Sequence, residues 1–282
     1  MIKLLLVTII FSLNSYALVI PIISYSESSG TTYGGFTQFK LNKKQDTNLL
    51  LYLVTNNNGQ SGFIRASNLP FKTEKLNVFL YGSNSARSYN GIANYSTSDI
   101  SSLYYDQLNL RVTMEREFYK NWDLILGLNY KYYNENNSKN DRSTAIFNQL
   151  SDFGGIVGFQ MDKRDREYNT NNGYFNEIKA LVFDNYQILS NDIRIFRPVY
   201  NGTLAFKLYS AQTLTNQDHF SYYQRAGSYY YLRGYSSNQI LDKHISYTQI
   251  EWRKSLFNWP VITPFLEVGT LGSSPANLKK SF

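Results

Sequence analysis

The chain has 282 residues, a formal net charge of +7 and no cysteine. A mean hydropathy of −0.38 excludes a bundle of membrane-spanning helices, and the missing thiols exclude disulfides and thiol catalysis. Lysine and arginine are spread along the chain instead of clustered, which argues against a nucleic-acid surface.

The first segment, "MIKLLLVTIIFSLNSYA", reads as a secretory signal peptide over residues 1–17. Lys3 gives the basic start, Leu4 to Leu13 the apolar core, and Ser15-Tyr16-Ala17 a small-x-small cleavage site. That core is shorter than the about 20 residues a spanning helix needs. An exported mature chain of residues 18–282 is expected, in a single domain.

From Leu18 onward, hydrophobicity alternates with period two, and no segment keeps a helical period for three turns. The pattern predicts strands over 18–26, 32–41, 48–56, 61–68, 75–83, 102–117 and 122–134. It continues with strands over 153–164, 174–184, 190–198, 202–212, 244–256 and 261–270. In "YDQLNLRVTM", Leu108, Leu110, Val112 and Met114 oppose Gln107, Asn109, Arg111 and Thr113. In "WDLILGLNYKYYN", Leu124, Leu126, Leu128, Tyr130 and Tyr132 oppose Asp123, Gly127, Asn129 and Lys131. "TLAFKLY" repeats this with Leu204, Phe206 and Leu208 against Ala205, Lys207 and Tyr209.

Alternation also suits a soluble sandwich, but three features favour a transmembrane barrel. The strands run to about ten residues, against about five or six in ordinary sheets. Their polar faces carry large charged and amide groups, and tyrosines gather at strand ends, as in an aromatic girdle. Tight turns at 71–74 and 118–121 alternate with polar loops at 84–101, 135–152 and 213–243, the arrangement of outer-membrane barrels. The expected fold is therefore all-β: an antiparallel transmembrane β-barrel in the cell outer membrane.

Five stretches, in order along the chain, resemble the BamA/TamA-like barrels of the bacterial surface antigen family. They are "YSESSGTTYGG" (25–35), "YNGIAN" (89–94), "GFQMDKRDREYNTNNGYFNEIKA" (158–180), "YYLRGYSSNQI" (230–240) and "PFLEVGTLG" (264–272). The resemblance implies that the loop carrying Arg233, Gly234 and Tyr235 folds back into the barrel. It also implies that Arg233 meets acids on the inner wall, for which Glu251 and Glu267 are the matching residues. The family has aspartate where Glu267 stands, so that contact has a longer reach here. Alternation separately places both acids inside, because Ile250 and Trp252 flank one and Leu266 and Val268 the other. The contrary reading leaves Arg233 on a solvated loop. Asp162, Arg164, Asp165 and Gly173 match the family's charged strand end and turn glycine. They read as a periplasmic turn, not as a catalytic group.

The resemblance implies sixteen strands, whereas thirteen are legible and an odd number cannot close a single-chain barrel. Residues 273–282 read as a loop and the opening of a next strand. The domain is expected to be C-terminally incomplete, its barrel not closed, with no POTRA domain before Leu18. No enzyme is expected: His219 and His244 lack metal-ligand spacing, and no nucleophile elbow or phosphate loop occurs. No cofactor or metal is expected. The partners expected are outer-membrane lipid and unfolded outer-membrane or secreted polypeptides, with no nucleic acid. Two functions stay open: a barrel for membrane-protein assembly, secretion or lipid handling, and a structural or surface-exposed barrel, or remnant, without transport.

Overall fold

The computed structural model describes residues 18–26, 30–42, 47–57, 59–89, 101–135, 149–166, 169–217, 219–226, 240–255, 261–273 and 278–281. The expected signal peptide lies outside them. Eleven strands come first: β1 (Leu18–Ser26), β2 (Gly30–Asn42), β3 (Thr47–Asn56), β4 (Gly59–Phe71), β5 (Glu74–Tyr89), β6 (Ser101–Tyr119), β7 (Trp122–Glu135), β8 (Leu150–Asp162), β9 (Gly173–Phe183), β10 (Tyr186–Val199) and β11 (Gly202–Thr215). Two short strands, β12 (Gln224–Ala226) and β13 (Ile240–Asp242), pair only with each other. Then come β14 (His244–Ser255), β15 (Val261–Ile262), β16 (Phe265–Gly272) and β17 (Leu278–Ser281).

Each strand of the main sheet is antiparallel to its neighbour, in the order β1 to β11, then β14, β16 and β17, with β15 beside β14. All thirteen expected strands are present, and β17 is a fourteenth along the path. No pairing joins β1 to β17 among the described residues, so the sheet is an unclosed barrel wall.

Why the wall curls one way follows from its turns. Lys120 and Asn121 have φ of 33° and 73°, and Tyr200 and Asn201 have φ of 49° and 57°. Two consecutive left-handed residues make the hairpin turn whose twist matches that of the flanking strands. A bulge between Ala66 and Leu69 adds local bending in β4. Thr47 Oγ1 donates to the Asn68 carbonyl at 2.9 Å, and the Asn68 amide donates to Asn77 Oδ1 at 2.9 Å.

Alternation divides the wall into two faces. Leu110 lies opposite Tyr130, and Asn109 opposite Lys131, so both strands turn apolar groups outward and polar groups inward together. Outward groups such as Leu126, Leu128, Phe153, Val182, Leu189, Leu266 and Val268 are exposed. A continuous exposed apolar face of this size is unstable in water and marks a surface that meets lipid or protein. The buried groups lie inside: Ile125, Ile156, Phe183, Tyr186, Ile245, Tyr247 and Leu271.

Candidate functional site: the segment folded inside the wall

The segment between β11 and β14 turns back into the barrel at both of its ends. After Thr215 a single 3-10 turn, Phe220–Tyr222, places Tyr222 at 0% exposure, with His219, Ser221 and Tyr223 buried beside it. The Tyr222 amide donates to the His219 carbonyl at 3.0 Å, and His219 Nδ1 lies 2.7 Å from Ser221 Oγ. The strand pair β12–β13 follows, and Leu241 and Asp242 are buried. Gln224 Nε2 donates to Thr213 Oγ1 at 2.8 Å, and the Thr213 amide donates to the Lys243 carbonyl at 2.7 Å. These bonds fix both ends of the segment to β11.

Aromatic stacking holds the first end against the inner wall. The Tyr222 ring stacks on Tyr186 at 4.2 Å, and Tyr186 stacks on Phe183 at 4.4 Å. Offset aromatic contacts of this kind add about 0.5–1.5 kcal/mol beyond their buried area. Lys131 Nζ donates to Tyr186 Oη at 2.9 Å and lies 5.0 Å from the Phe183 ring centre. Asn185 bridges the same neighbourhood, donating to Asp152 Oδ1 and accepting from Gln217 Nε2, both at 3.1 Å. The sequence-based reading placed Lys131 on the polar face of its strand but named none of these partners. Alternation carries the side of a residue, and it carries nothing about which distant aromatic meets it.

Arg233, Gly234 and Tyr235 lie outside the described residues, so the structure assigns them no place. Their proposed acidic partners both have neighbours on the wall. Arg253 Nε donates to Glu251 Oε2 at 3.0 Å, and Gln249 Nε2 donates to Glu267 Oε1 at 3.1 Å. Ile250 and Leu266 are exposed while Gln249 is buried, so Glu251 and Glu267 share the inner face. Nearby, Arg194 makes a two-point contact with Asp192 at 3.0 and 2.6 Å, and Lys179 pairs with Glu177. The inner faces of β9, β10 and β14 thus each carry an acid two residues before a base, none of which stands out in the sequence as a motif.

The β8–β9 turn is better ordered than a string of solvated charges. Arg164 Nε and Nη2 donate to the two oxygens of Asp162 at 2.8 and 2.6 Å. The Arg164 guanidinium lies 4.7 Å from the Phe175 ring centre, and its side chain is only 9% exposed. Asp165 accepts from the Asn171 amide at 3.0 Å, while its own amide donates to the Asn172 carbonyl. Slight desolvation works to raise the Asp165 carboxyl, but the amides of Asn171 and Asn172 outweigh it and hold the group below its ordinary range. Asn172 Oδ1 accepts from Arg197 Nη1 and Asn171 Oδ1 from Thr203 Oγ1, each at 3.1 Å. The turn therefore reaches past β9 to β10 and β11. Among the described residues, no group of three or more potential ligands could hold a metal ion.

With this geometry in view, comparison with known proteins is informative at the level of fold. No family model matches the chain, and no curated protein matches it. Solved structures do, among them two barrels. The crystal structure of BamA from Haemophilus ducreyi lacking POTRA domains 1–3 matches with a TM-score of 0.61 at 12% identity, over 92% of this chain and 57% of that one. CdiB from Acinetobacter baumannii matches with a TM-score of 0.61 at 15% identity, over 92% of this chain and 50% of that one. The fold is that of the BamA and CdiB barrels. This BamA-like wall spans about half the length of those chains.

Proposed function

We propose that the protein is an outer-membrane β-barrel that assists the insertion or passage of polypeptides. The observation that carries the reading is the segment between β11 and β14, whose two ends are buried inside a wall that is apolar outside. Such an inward segment occupies the path a client would take, which suits a regulated conduit better than an open pore. The likeness of fold to BamA and CdiB supports the same reading. Its partners would be outer-membrane lipid and unfolded outer-membrane or secreted polypeptides. The test is reconstitution of the 282-residue chain in liposomes, followed by addition of an unfolded outer-membrane barrel as client. Faster client folding than in empty liposomes is expected, and equal rates would sink the proposal.

Within this reading, Arg233 docks inside against Glu251 or Glu267, as the resemblance in "YYLRGYSSNQI" implies. Glu251 and Glu267 share the inner face, which supports it. The pairing is read by double-mutant cycles on urea unfolding in detergent. A coupling between Arg233→Ala and either Glu251→Ala or Glu267→Ala is expected, and additive effects in both cycles would remove the docking.

A further inference from the structure

The outer face is not the same at its two ends. At the end with the short turns, the outward positions carry cations beside aromatic rings. Phe118 and Tyr119 are exposed at the β6–β7 turn, and Lys120 lies 5.4 Å from the Tyr119 ring centre. At the β8–β9 end, Lys163 lies 5.7 Å from Tyr174, and at the foot of β14, Lys254 lies 5.5 Å from Trp252. Tyr200, 86% exposed, projects from the β10–β11 turn, three residues after the exposed Arg197. The acids at this end are engaged: Glu74 pairs with Arg116 at 3.6 Å, Asp162 with Arg164 at 2.6 Å, and Glu117 and Asp165 accept from the amides of Asn121 and Asn171. Toward the long-loop end, the described outward side chains include no lysine or arginine, whereas Asp106 and Asp184 are found there.

We infer that this short-turn rim is a binding surface for the phosphate headgroups of an anionic phospholipid. Rings of this kind settle at the boundary between acyl chain and headgroup, where one side is apolar and the other wet. A cation held beside such a ring stands at headgroup depth, where a lysine near an anionic surface contributes about a five-fold gain in affinity. The pairing recurs in three hairpins that are far apart in sequence, and charge complementarity selects an anionic lipid over a zwitterionic one. The inference rests on the membrane reading above and adds the leaflet chemistry.

The experiment uses the folded full chain in mixed micelles, with Trp259→Phe so that Trp122 and Trp252 report. Both lie at the short-turn end, at the start of β7 and the foot of β14. Brominated phosphatidylglycerol should quench half their emission at a mole fraction at least about five-fold below that for brominated phosphatidylcholine. High salt should narrow the difference, since exposed charges are screened. The triple variant Lys120→Asn, Lys163→Gln, Lys254→Gln should lose the preference, and Lys163→Arg with Lys254→Arg should keep it. Asparagine is used at 120 because its φ of 33° suits few other residues. Equal quenching by the two lipids in the parent chain overturns the headgroup inference and leaves the membrane reading standing. No quenching by either lipid overturns both.

Discussion

Gly173 has φ of +119°, and a Cβ built there would collide with the Lys163 carbonyl oxygen. No side chain fits that backbone without moving the β8–β9 turn. Gly173→Ala should cost more than about 1 kcal/mol and separate Arg164 from Asp162. Equilibrium urea unfolding in detergent measures the cost. Asp165 shows the same turn through its titration. Its folded carboxyl sits below the ordinary 3.8, so its contribution is complete above that value and is lost as pH falls through the lower folded one. The protection factor of the Asn171 amide, taken relative to its base-catalysed intrinsic rate at each pH, should stay constant from about pH 5 upward and fall only below pH 3.8. A protection factor that falls at neutral pH would contradict the assignment. The motif "DKRD" was legible as a charged turn, but its two-point Arg164 contact was not. That contact depends on Phe175 lying under the guanidinium, which only the strand pairing brings about.

Among the elements, the segment between β11 and β14 depends on one ring. Tyr222 is fully buried against Tyr186, and Tyr222→Ala removes that contact and leaves a cavity, at about 3–5 kcal/mol. The wall itself should remain, since its strands pair without Tyr222. The expected outcome is rapid proteolysis between β12 and β13 with strand content unchanged by circular dichroism. Lys131→Met should act in the same direction and more weakly, because it removes one hydrogen bond from Tyr186 and keeps most of the packing. In the β6–β7 hairpin, Asn121 at φ of 73° tolerates the left-handed region, and Asn121→Val should cost about 1–2 kcal/mol. Asn121→Gly should be tolerated. Urea unfolding of the two variants checks the pair.

For the whole molecule, the outward apolar face predicts firm anchoring. Expressed in a Gram-negative host, the chain should stay in the membrane pellet through high salt and alkaline carbonate. Salt screens exposed charges and does not weaken apolar burial. Release into the soluble fraction would remove the membrane reading, whatever the fold.

Period-two alternation carries thirteen strands and the face on which their side chains lie, while strand length, the charged polar faces and the tyrosines at strand ends add the class of fold. A strand's pleat sends neighbours to opposite sides, so one-dimensional order carries that information. Glu251 and Glu267 were placed on the inner face by this reasoning, and the structure has them there. Their neighbours Arg253 and Gln249 were not named, although Arg253 stands two residues away on the same face. The Lys131–Tyr186–Tyr222 cluster was beyond reach for another reason. It joins residues 55 and 91 positions distant from Lys131, and only the curl of the wall and the return of the segment bring them together. Strand pattern is local and repeats in the sequence. Contacts across the inside of a barrel are set by register and curvature, which the tertiary structure alone decides.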